Sequence, residues 1–223
     1  IRFQKKYELN EEIMLYKYNW EKSILQIGSN FKVLLKTNIP IFEIKKNFSR
    51  SWKRSLKSFD EEKYSIQEIK DYKLIGKLYK EMKTNKSLKI KNIYQDSQCK
   101  SILRNFKNHI LVYGVKDEFG SFCSLRGVIY DNKKLFDIFA ATNIKGRKIN
   151  ASHAILYKFI SLANSRKVDL YDLANVDPQN NIGVFQFKKG TGGETIKTLG
   201  EFEWSNNTLI NLFLKIFLII KNL

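Results

Sequence analysis

The stretch that decides the fold is residues 171–204, which read YDLANVDPQNNIGVFQFKKGTGGETIKTLGEFEW. Its first three residues belong to a short, largely apolar segment over residues 168–173, a pattern typical of a buried strand. Residues 180–189 predict a short helix, which ends at the glycines of residues 190–193. Residues 195–204 predict a last strand. The stretch therefore predicts a strand, a helix, a glycine-rich turn and a second strand.

The residues upstream predict the elements that this stretch completes. Helices are predicted over residues 71–83, 94–106 and 152–166, and strands over residues 31–36, 64–69, 110–115, 121–130 and 135–141. From residue 71 the order is helix–helix–strand–strand–strand–helix–strand–helix–strand. This order predicts an α+β fold with a mixed, mostly antiparallel sheet flanked by helices. It resembles the core of the GNAT-like acyltransferase fold.

The composition limits the possible functions. The chain has 223 residues, 43% of them hydrophobic, which is enough for a sizeable core and excludes a disordered protein. Two cysteines and two histidines exclude a disulfide scaffold and a cysteine-rich zinc site, and we predict no metal and no cofactor. Few cysteines and the lack of a secretory signal predict a cytoplasmic location. The apolar segment 206–223 predicts a terminal helix, either buried or lying on a membrane or another domain.

The chain is strongly basic, with a formal net charge of +18. Lys and Arg exceed Asp and Glu by 13 in residues 1–110 and by 5 in residues 111–223. Such a charge attracts polyanions, although a lysine-rich solvated surface produces the same excess. The charge alone therefore leaves both interpretations open.

One segment has a higher density of basic residues than the rest of the chain. Residues 45–57 read KKNFSRSWKRSLK, and Ser49 is placed to cap a helix that follows it. Four basic residues then recur at helical spacing on one face, and these are Arg50, Lys53, Arg54 and Lys57. The segment predicts either a phosphate-binding helix or an ordinary surface helix.

Several pieces of the sequence resemble the FemABX family, the aminoacyltransferases that build peptidoglycan cross-bridges. The pieces are Tyr171-Asp172-Leu173, Phe187-Lys188-Lys189-Gly190, Gly192-Gly193-Glu194 and Leu199-Gly200-Glu201-Phe202, together with the basic helix. The resemblance covers residues 48–204. It implies a partial or reduced first GNAT-like subdomain over residues 1–47, a second GNAT-like subdomain over residues 48–205 and a C-terminal apolar helix over residues 206–223.

The resemblance implies transfer of an amino acid from aminoacyl-tRNA to an amine on the stem peptide of a peptidoglycan precursor. The acceptor would be UDP-muramyl pentapeptide or its lipid-linked form, with peripheral contact between the enzyme and the inner membrane face. Two other classes stay open, namely a GNAT-like N-acyltransferase that uses acyl-CoA on an amino sugar and a non-enzymatic RNA-binding module. Residues 145–148, KGRK, match the acyl-CoA pyrophosphate loop of GNAT enzymes poorly, which favours a different acyl donor.

The resemblance also implies site residues. Lys188, next to Phe187, would stabilise the oxyanion at the acyl site, unless Lys188 and Lys189 are two surface lysines. Apart from the resemblance, Asp172 lies on a predicted buried strand and is a candidate general base if its pKa is raised, and the alternative is a carboxylate that caps a turn or pairs with a lysine. The candidate substrate-binding residues are Lys91 and Tyr94, which are loose counterparts of a substrate-contacting Arg and Tyr of the family, with Arg50, Lys53, Arg54 and Lys189.

Overall fold

The computed structural model describes residues 1–23, 28–85, 94–131, 133–207, 212–213 and 216–217. The strands are β1 (Arg2–Lys6), β2 (Glu21–Lys22), β3 (Phe31–Lys36), β4 (Ile66–Glu68), β5 (Ile110–Lys116), β6 (Phe122–Tyr130), β7 (Lys134–Thr142), β8 (Leu170–Val176) and β9 (Glu194–Glu203). The helices are α1 (Leu9–Lys17), α2 (Ile41–Asn47), α3 (Arg50–Lys57), α4 (Tyr72–Asn85), α5 (Asp96–Asn105), α6 (Ile144–Lys148), α7 (Ala151–Ser165) and α8 (Ile182–Lys189). None of these helices has the length and the apolar content needed to cross a bilayer.

The chain forms two compact units, and neither is one continuous run. The first unit consists of Ile1–Val33, Asn175–Lys188 and Glu194–Leu223, and the second of Leu34–Ala174 and Lys189–Gly193. The assignment of residues 1–47 and 48–205 as GNAT-like subdomains stays a prediction. The predicted terminal helix over residues 206–223 lies mostly outside the described residues.

In the second unit the strands β8 (up to Ala174), β7, β6, β5 and β4 lie next to one another in this order. The strands β4, β5, β6 and β7 pair antiparallel, whereas β8 pairs parallel to β7. Parallel neighbours need a long connection, and α7 supplies it by crossing the sheet between β7 and β8. The predicted α+β fold with a mixed, mostly antiparallel sheet and flanking helices is confirmed.

The two faces of this sheet carry different helices, because side chains alternate along β6. Leu125 faces a core formed with α4 and α5, where Ile75, Leu78 and Cys99 are buried. Its neighbour Ser124 points to the opposite face, where α7 packs. The basic helix α3 lies on α7, so it is on the far side of the sheet from α4 and α5.

The first unit has a sheet in which β9 pairs antiparallel with β1 and with β2. Its helix α1 is unusual because it buries an acid and exposes apolar side chains. Glu12 is 9% exposed, accepts a hydrogen bond from Tyr7 Oη at 2.7 Å and forms an ion pair with Lys22. Leu9 and Ile13, by contrast, are 60% and 52% exposed. The sequence did not predict α1, because its apolar residues do not mark a buried face.

Candidate active site

The strands β7 and β8 separate partway along their length. Their registered pairs run from Lys134↔Leu170 to Phe136↔Asp172, while β7 continues alongside β6 as far as Thr142. Beyond the last pair, backbone N–H and C=O groups of β7 that would face β8 need other partners. Ala140 N–H meets this need by donating to Tyr79 Oη at 2.8 Å. Such a gap between parallel strands offers hydrogen-bonding edges to a ligand.

Asp172 stands at the point where the two strands separate. It is 8% exposed, and its Oδ1 accepts a hydrogen bond from Ala174 N–H at 2.9 Å. Ala174 has a φ of 60°, a left-handed conformation that non-glycine residues rarely adopt. The carboxylate therefore holds the backbone in this conformation, which is the turn-capping alternative that the sequence left open.

Lys188 is a buried lysine on α8, in the first unit. It is 7% exposed, and its Nζ donates to the carbonyl oxygen of Asn175 at 3.1 Å. The neighbouring Phe187 is half-buried. Burying an ammonium is unfavourable unless polar groups compensate for its lost hydration, and the Asn175 carbonyl is one such group. An ordinary surface lysine would not occupy this position.

The helix α3 and the start of α7 are joined in the second unit. Ser49 caps α3 as predicted, since its Oγ accepts from Trp52 N–H at 3.2 Å. At the other end of α3, Ser58 Oγ accepts from the side-chain amide of Asn150 at 2.8 Å. Asn150 immediately precedes α7. The C-terminal end of the basic helix therefore lies at the N-terminus of α7.

A basic cluster surrounds this junction, and we define it as Arg54, Lys57, Arg147 and Lys148. The first two lie at the end of α3, and the other two lie just before Asn150. All four are exposed, and none forms an ion pair within the described ranges. A helix N-terminus also carries partial positive charge. This surface is chemically suited to phosphate groups.

The segment KGRK forms the helix α6 instead of a loop. Asn143 Oδ1 caps it by accepting from Gly146 N–H at 3.1 Å. A side chain at Gly146 would place its Cβ 2.3 Å from the carbonyl oxygen of Cys123, so the helix packs tightly on the sheet. The backbone of this segment therefore makes its contacts mainly with other parts of the protein.

The glycine-rich turn after α8 also serves packing. Ser49 N–H donates to the carbonyl oxygen of Gly190 at 2.8 Å. Gly192 has a φ of 81°, and a Cβ there would lie 2.7 Å from the Cβ of Asn47. The turn thus supports the start of α3. Lys189 is exposed, and its Nζ donates to the carbonyl oxygen of Gly193 at 3.1 Å.

A charged network is buried between the sheet and α7. Arg126 forms an ion pair with Asp137, and Tyr171 Oη donates to Asp137 Oδ1 at 3.3 Å. Burial and the nearby carboxylate raise the pKa of Tyr171, so its phenol stays protonated. His153 lies next to this network, and burial together with the Arg126 charge lowers its pKa to about 4. The network orients β6, β7 and β8 where β7 and β8 begin to separate.

The remaining predicted residues are not gathered in one place. Arg50, Lys53 and Arg54 are exposed on α3, and Lys53 Nζ donates to the carbonyl oxygen of Lys46 at 2.8 Å. Tyr94 packs on Phe139 in the core beneath α4 and α5, with ring centroids 4.9 Å apart, and burial raises its pKa. The sheet thus separates Tyr94 from α3. Lys91 lies outside the described residues.

The buried charged network was not predicted from the sequence. A signal was present, because Arg126 and Asp137 are charged residues in two strands that are mostly apolar. Charged residues are rarely buried unless they are paired. Their pairing depends on cross-strand register, which the sequence pattern does not specify. Among the described residues no group of three His, Cys, Asp or Glu side chains is arranged to hold a metal ion.

This fold is GNAT-like and of the FemABX type. The chain is similar to the crystal structure of FemX, with a TM-score of 0.78 and 11% identity, covering 93% of this chain and 71% of that one. It is also similar to L-PGS from Bacillus licheniformis, with a TM-score of 0.57, 9% identity and coverage of 95% and 70%. A tandem GNAT protein from the clavulanic acid biosynthesis pathway matches with a TM-score of 0.54, 11% identity and coverage of 86% and 57%.

These likenesses show the fold. No sequence-family model and no curated protein sequence matches the chain.

Proposed function

We propose that the protein is an aminoacyltransferase that moves an amino acid from aminoacyl-tRNA to an amine of a peptidoglycan precursor stem peptide. The observation that carries this proposal is the buried ammonium of Lys188 in a chain whose fold is similar to that of FemX over 93% of its length. The position of this lysine next to Phe187 also matches the family motif quoted from the sequence.

The proposed reaction is an aminolysis. The acceptor amine attacks the ester carbonyl of the aminoacyl-tRNA, the new C–N bond forms, and the bond to the tRNA 3′-terminal oxygen breaks. The amine loses a proton, and the departing oxygen takes one up. Negative charge develops on the carbonyl oxygen, and a donor in a water-poor site stabilises it. We assign this role to Lys188, with the half-buried Phe187 limiting the access of water.

Asp172 is the proposed proton acceptor. It is a buried carboxylate, and Oδ1 already accepts from Ala174 N–H. The two roles are compatible, because an oriented carboxylate is a better-placed base.

The basic cluster is the proposed contact for the phosphates of the tRNA acceptor end, extended along α3 by Arg50 and Lys53 and in the turn by Lys189. Arginine and lysine contribute most of the affinity for nucleic-acid backbones, and the contribution weakens with salt. Lys91 and Tyr94 stay candidates for contacts with the sugar or diphosphate of the acceptor. We place the reaction in the cytoplasm, with peripheral contact at the inner face of the membrane for a lipid-linked acceptor.

A lipid acceptor is the second candidate, favoured by the similarity to L-PGS over 95% of this chain. In that case a lipid hydroxyl is the attacking group instead of the amine, and aminoacyl-tRNA is still the donor of the amino acid. Acyl-CoA is a weaker donor candidate, because the segment before α7 forms the capped helix α6 and its backbone makes protein contacts.

The test is a transfer assay with purified protein and a pool of tRNA charged with radiolabelled amino acids. One arm contains UDP-muramyl pentapeptide, a second contains phosphatidylglycerol vesicles, and a third replaces the charged tRNA with acetyl-CoA and an amino sugar. We expect label to move to the pentapeptide. Transfer only to the vesicles would select the lipid acceptor, and transfer only from acetyl-CoA would reject the proposal. Tight RNA binding without transfer in any arm would identify a binding module.

A further inference from the structure

A β-bulge in β7 lies where this strand leaves β8. In the β6–β7 ladder, successive residues of β6 pair with Asp137 and Phe139, so Ile138 is an extra residue of β7. The last registered pair of β7 with β8 is Phe136↔Asp172, directly before this bulge. A bulge bends the strand that carries it, and bulges are frequent next to active sites. The bend at Ile138 therefore gives a physical reason for the gap between β7 and β8.

The hydroxyl of Tyr79 lies at the β7 edge of this gap. Tyr79 belongs to α4, is 7% exposed, and packs its ring on that of Tyr94 with centroids 5.4 Å apart. Its Oη accepts the 2.8 Å hydrogen bond from Ala140 N–H. Ala140 is itself exposed, so this part of the edge is open to solvent although the Tyr79 ring is buried. A ligand at Ala140 therefore comes within reach of the Tyr79 hydroxyl.

The Tyr79 hydroxyl has a hydrogen-bond donor that is not used. A phenol both accepts and donates, and the Ala140 N–H takes only an acceptor position. Within the part of the chain that the structure describes, the Tyr79 O–H donates to no other group. Burial raises the pKa of Tyr79, so the phenol keeps its proton at neutral pH. A buried donor without an acceptor is unfavourable, so a ligand oxygen that accepts from it would be bound favourably.

The β7 edge at Ala140 favours a carbonyl oxygen as this acceptor. In a parallel sheet, an N–H such as that of Ala140 would donate to a carbonyl oxygen of the neighbouring strand. Tyr79 accepts from this N–H and presents an O–H donor in its place. Linked hydrogen bonds strengthen one another, so the contact with Ala140 makes the phenol a better donor.

We propose that Tyr79 donates its O–H to a carbonyl oxygen of a substrate bound in the gap between β7 and β8. The inference rests on the proposed function for the identity of the substrate. That function supplies two sources of the carbonyl, namely the ester of the aminoacyl-tRNA and an amide of the stem peptide. The hydrogen bond can be tested by binding alone, without the transfer reaction.

The experiment is calorimetric titration of the full chain with two probes, UDP-muramyl pentapeptide and a tRNA whose amino acid is attached through a stable amide. We expect Tyr79→Phe to weaken the binding of one probe by about 3–10-fold, the range for one neutral hydrogen bond. The probe that loses affinity identifies the source of the carbonyl. Tyr72→Phe is the matched control, because it removes a half-buried hydroxyl from the same helix, where the ring faces Lys100. It should bind both probes with unchanged affinity.

A second measurement does not depend on the folding of a variant. In the unaltered protein, the probe that contacts Tyr79 should move the amide proton resonance of Ala140 downfield, because donation by the phenol strengthens its hydrogen bond with Ala140 N–H. An unmoved resonance, unchanged affinity of Tyr79→Phe for both probes, or no binding of either probe to the unaltered protein would overturn the proposal.

The outcomes also separate this inference from the proposed function. A Tyr79-dependent affinity without any aminoacyl transfer would reject the proposed function and leave the role of Tyr79 in place. Transfer by the unaltered protein, together with unchanged affinities in Tyr79→Phe, would support the proposed function and reject the role of Tyr79.

Discussion

The side-chain amide of Asn150 donates a 2.8 Å hydrogen bond to Ser58 Oγ, which ties the end of α3 to the start of α7. Asn150 also has a φ of 57°, a left-handed conformation that asparagine adopts more readily than most residues. One residue therefore sets the backbone entry into α7 and fixes the position of the basic helix next to it.

We expect Asn150→Ala to lower the free energy of unfolding by about 1–3 kcal/mol, because it combines the loss of a hydrogen bond with a strained backbone. Asn150→Gly removes the same hydrogen bond but tolerates the left-handed conformation, so it should cost less. Ser58→Ala isolates the hydrogen bond. Urea unfolding of the three variants measures the differences. Equal stability of the Ala and Gly variants would contradict the backbone part of this explanation.

Lys188→Met is expected to reduce the transfer rate by about 10²–10³-fold, since removal of one oxyanion-stabilising donor has an effect of this size in other enzymes. The methionine keeps most of the apolar stem in the buried position. Single-turnover transfer from charged tRNA measures the rate, and circular dichroism checks the fold. Lys158→Met, at an exposed position on α7, is the matched control. Near-normal turnover of a folded Lys188→Met protein would remove this lysine from the mechanism.

Asp172→Asn distinguishes the two roles of this carboxylate. The amide oxygen can still accept from Ala174 N–H, so the backbone should keep its conformation, while the ability to take a proton is lost. General-base catalysis typically contributes about 10²–10⁴-fold, and we expect a rate loss in that range. Thermal unfolding serves as the control for stability. If the folded variant transfers at the normal rate, Asp172 has only the capping role.

The basic cluster predicts a salt-dependent affinity for RNA. The double variant Arg54→Gln/Arg147→Gln should lower the slope of log affinity against log salt by about 0.7–0.9 for each lost phosphate contact. Lys73→Gln/Lys77→Gln removes the same charge from exposed positions of α4, on the opposite face of the sheet. Filter binding of tRNA between low and moderate salt measures both slopes. The same reduction in both variants would mean that the effect comes from net charge alone.

His153 should make the stability of the protein depend on pH. Its folded-state pKa is lowered to about 4 from the ordinary value of 6.5, so the unfolded chain binds a proton more readily. The contribution of neutral His153 to the free energy of unfolding is therefore fully present above pH 6.5. This contribution is lost as the pH falls towards 4, and the loss amounts to up to about 3 kcal/mol. His153→Gln should remove this part of the pH dependence. Urea unfolding of both proteins at several pH values measures it, and parallel curves would show that His153 does not contribute.

Much of the second unit follows from local patterns in the sequence. The strands β5, β6 and β7 are joined by short turns, and α7 has apolar residues at helical spacing, so periodicity alone predicted them. The cap at Ser49 was likewise predicted from residue type. The helix α6 was not predicted, because its stability depends on the capping contact of Asn143 and on packing of Gly146 against Cys123.

The candidate site could be predicted only in part. The motif around Lys188 identified a residue that is buried, although nothing in the local sequence distinguishes it from Lys189, which is exposed. The basic helix was visible, but its link to α7 depends on a contact between Ser58 and Asn150, which are far apart in the chain. Tyr94 lies on the other face of the sheet, a separation that only the tertiary structure reveals.

The pairing of β1 with β9 has a consequence for synthesis on the ribosome. The partner of Arg2 is Glu201, so β1 cannot form its ladder until Glu201 has emerged. Contacts of such long sequence separation form slowly, whereas the meander of the second unit can form as soon as its hairpins leave the exit tunnel. During that interval the exposed apolar residues of α1 are open to chaperones and to neighbouring nascent chains.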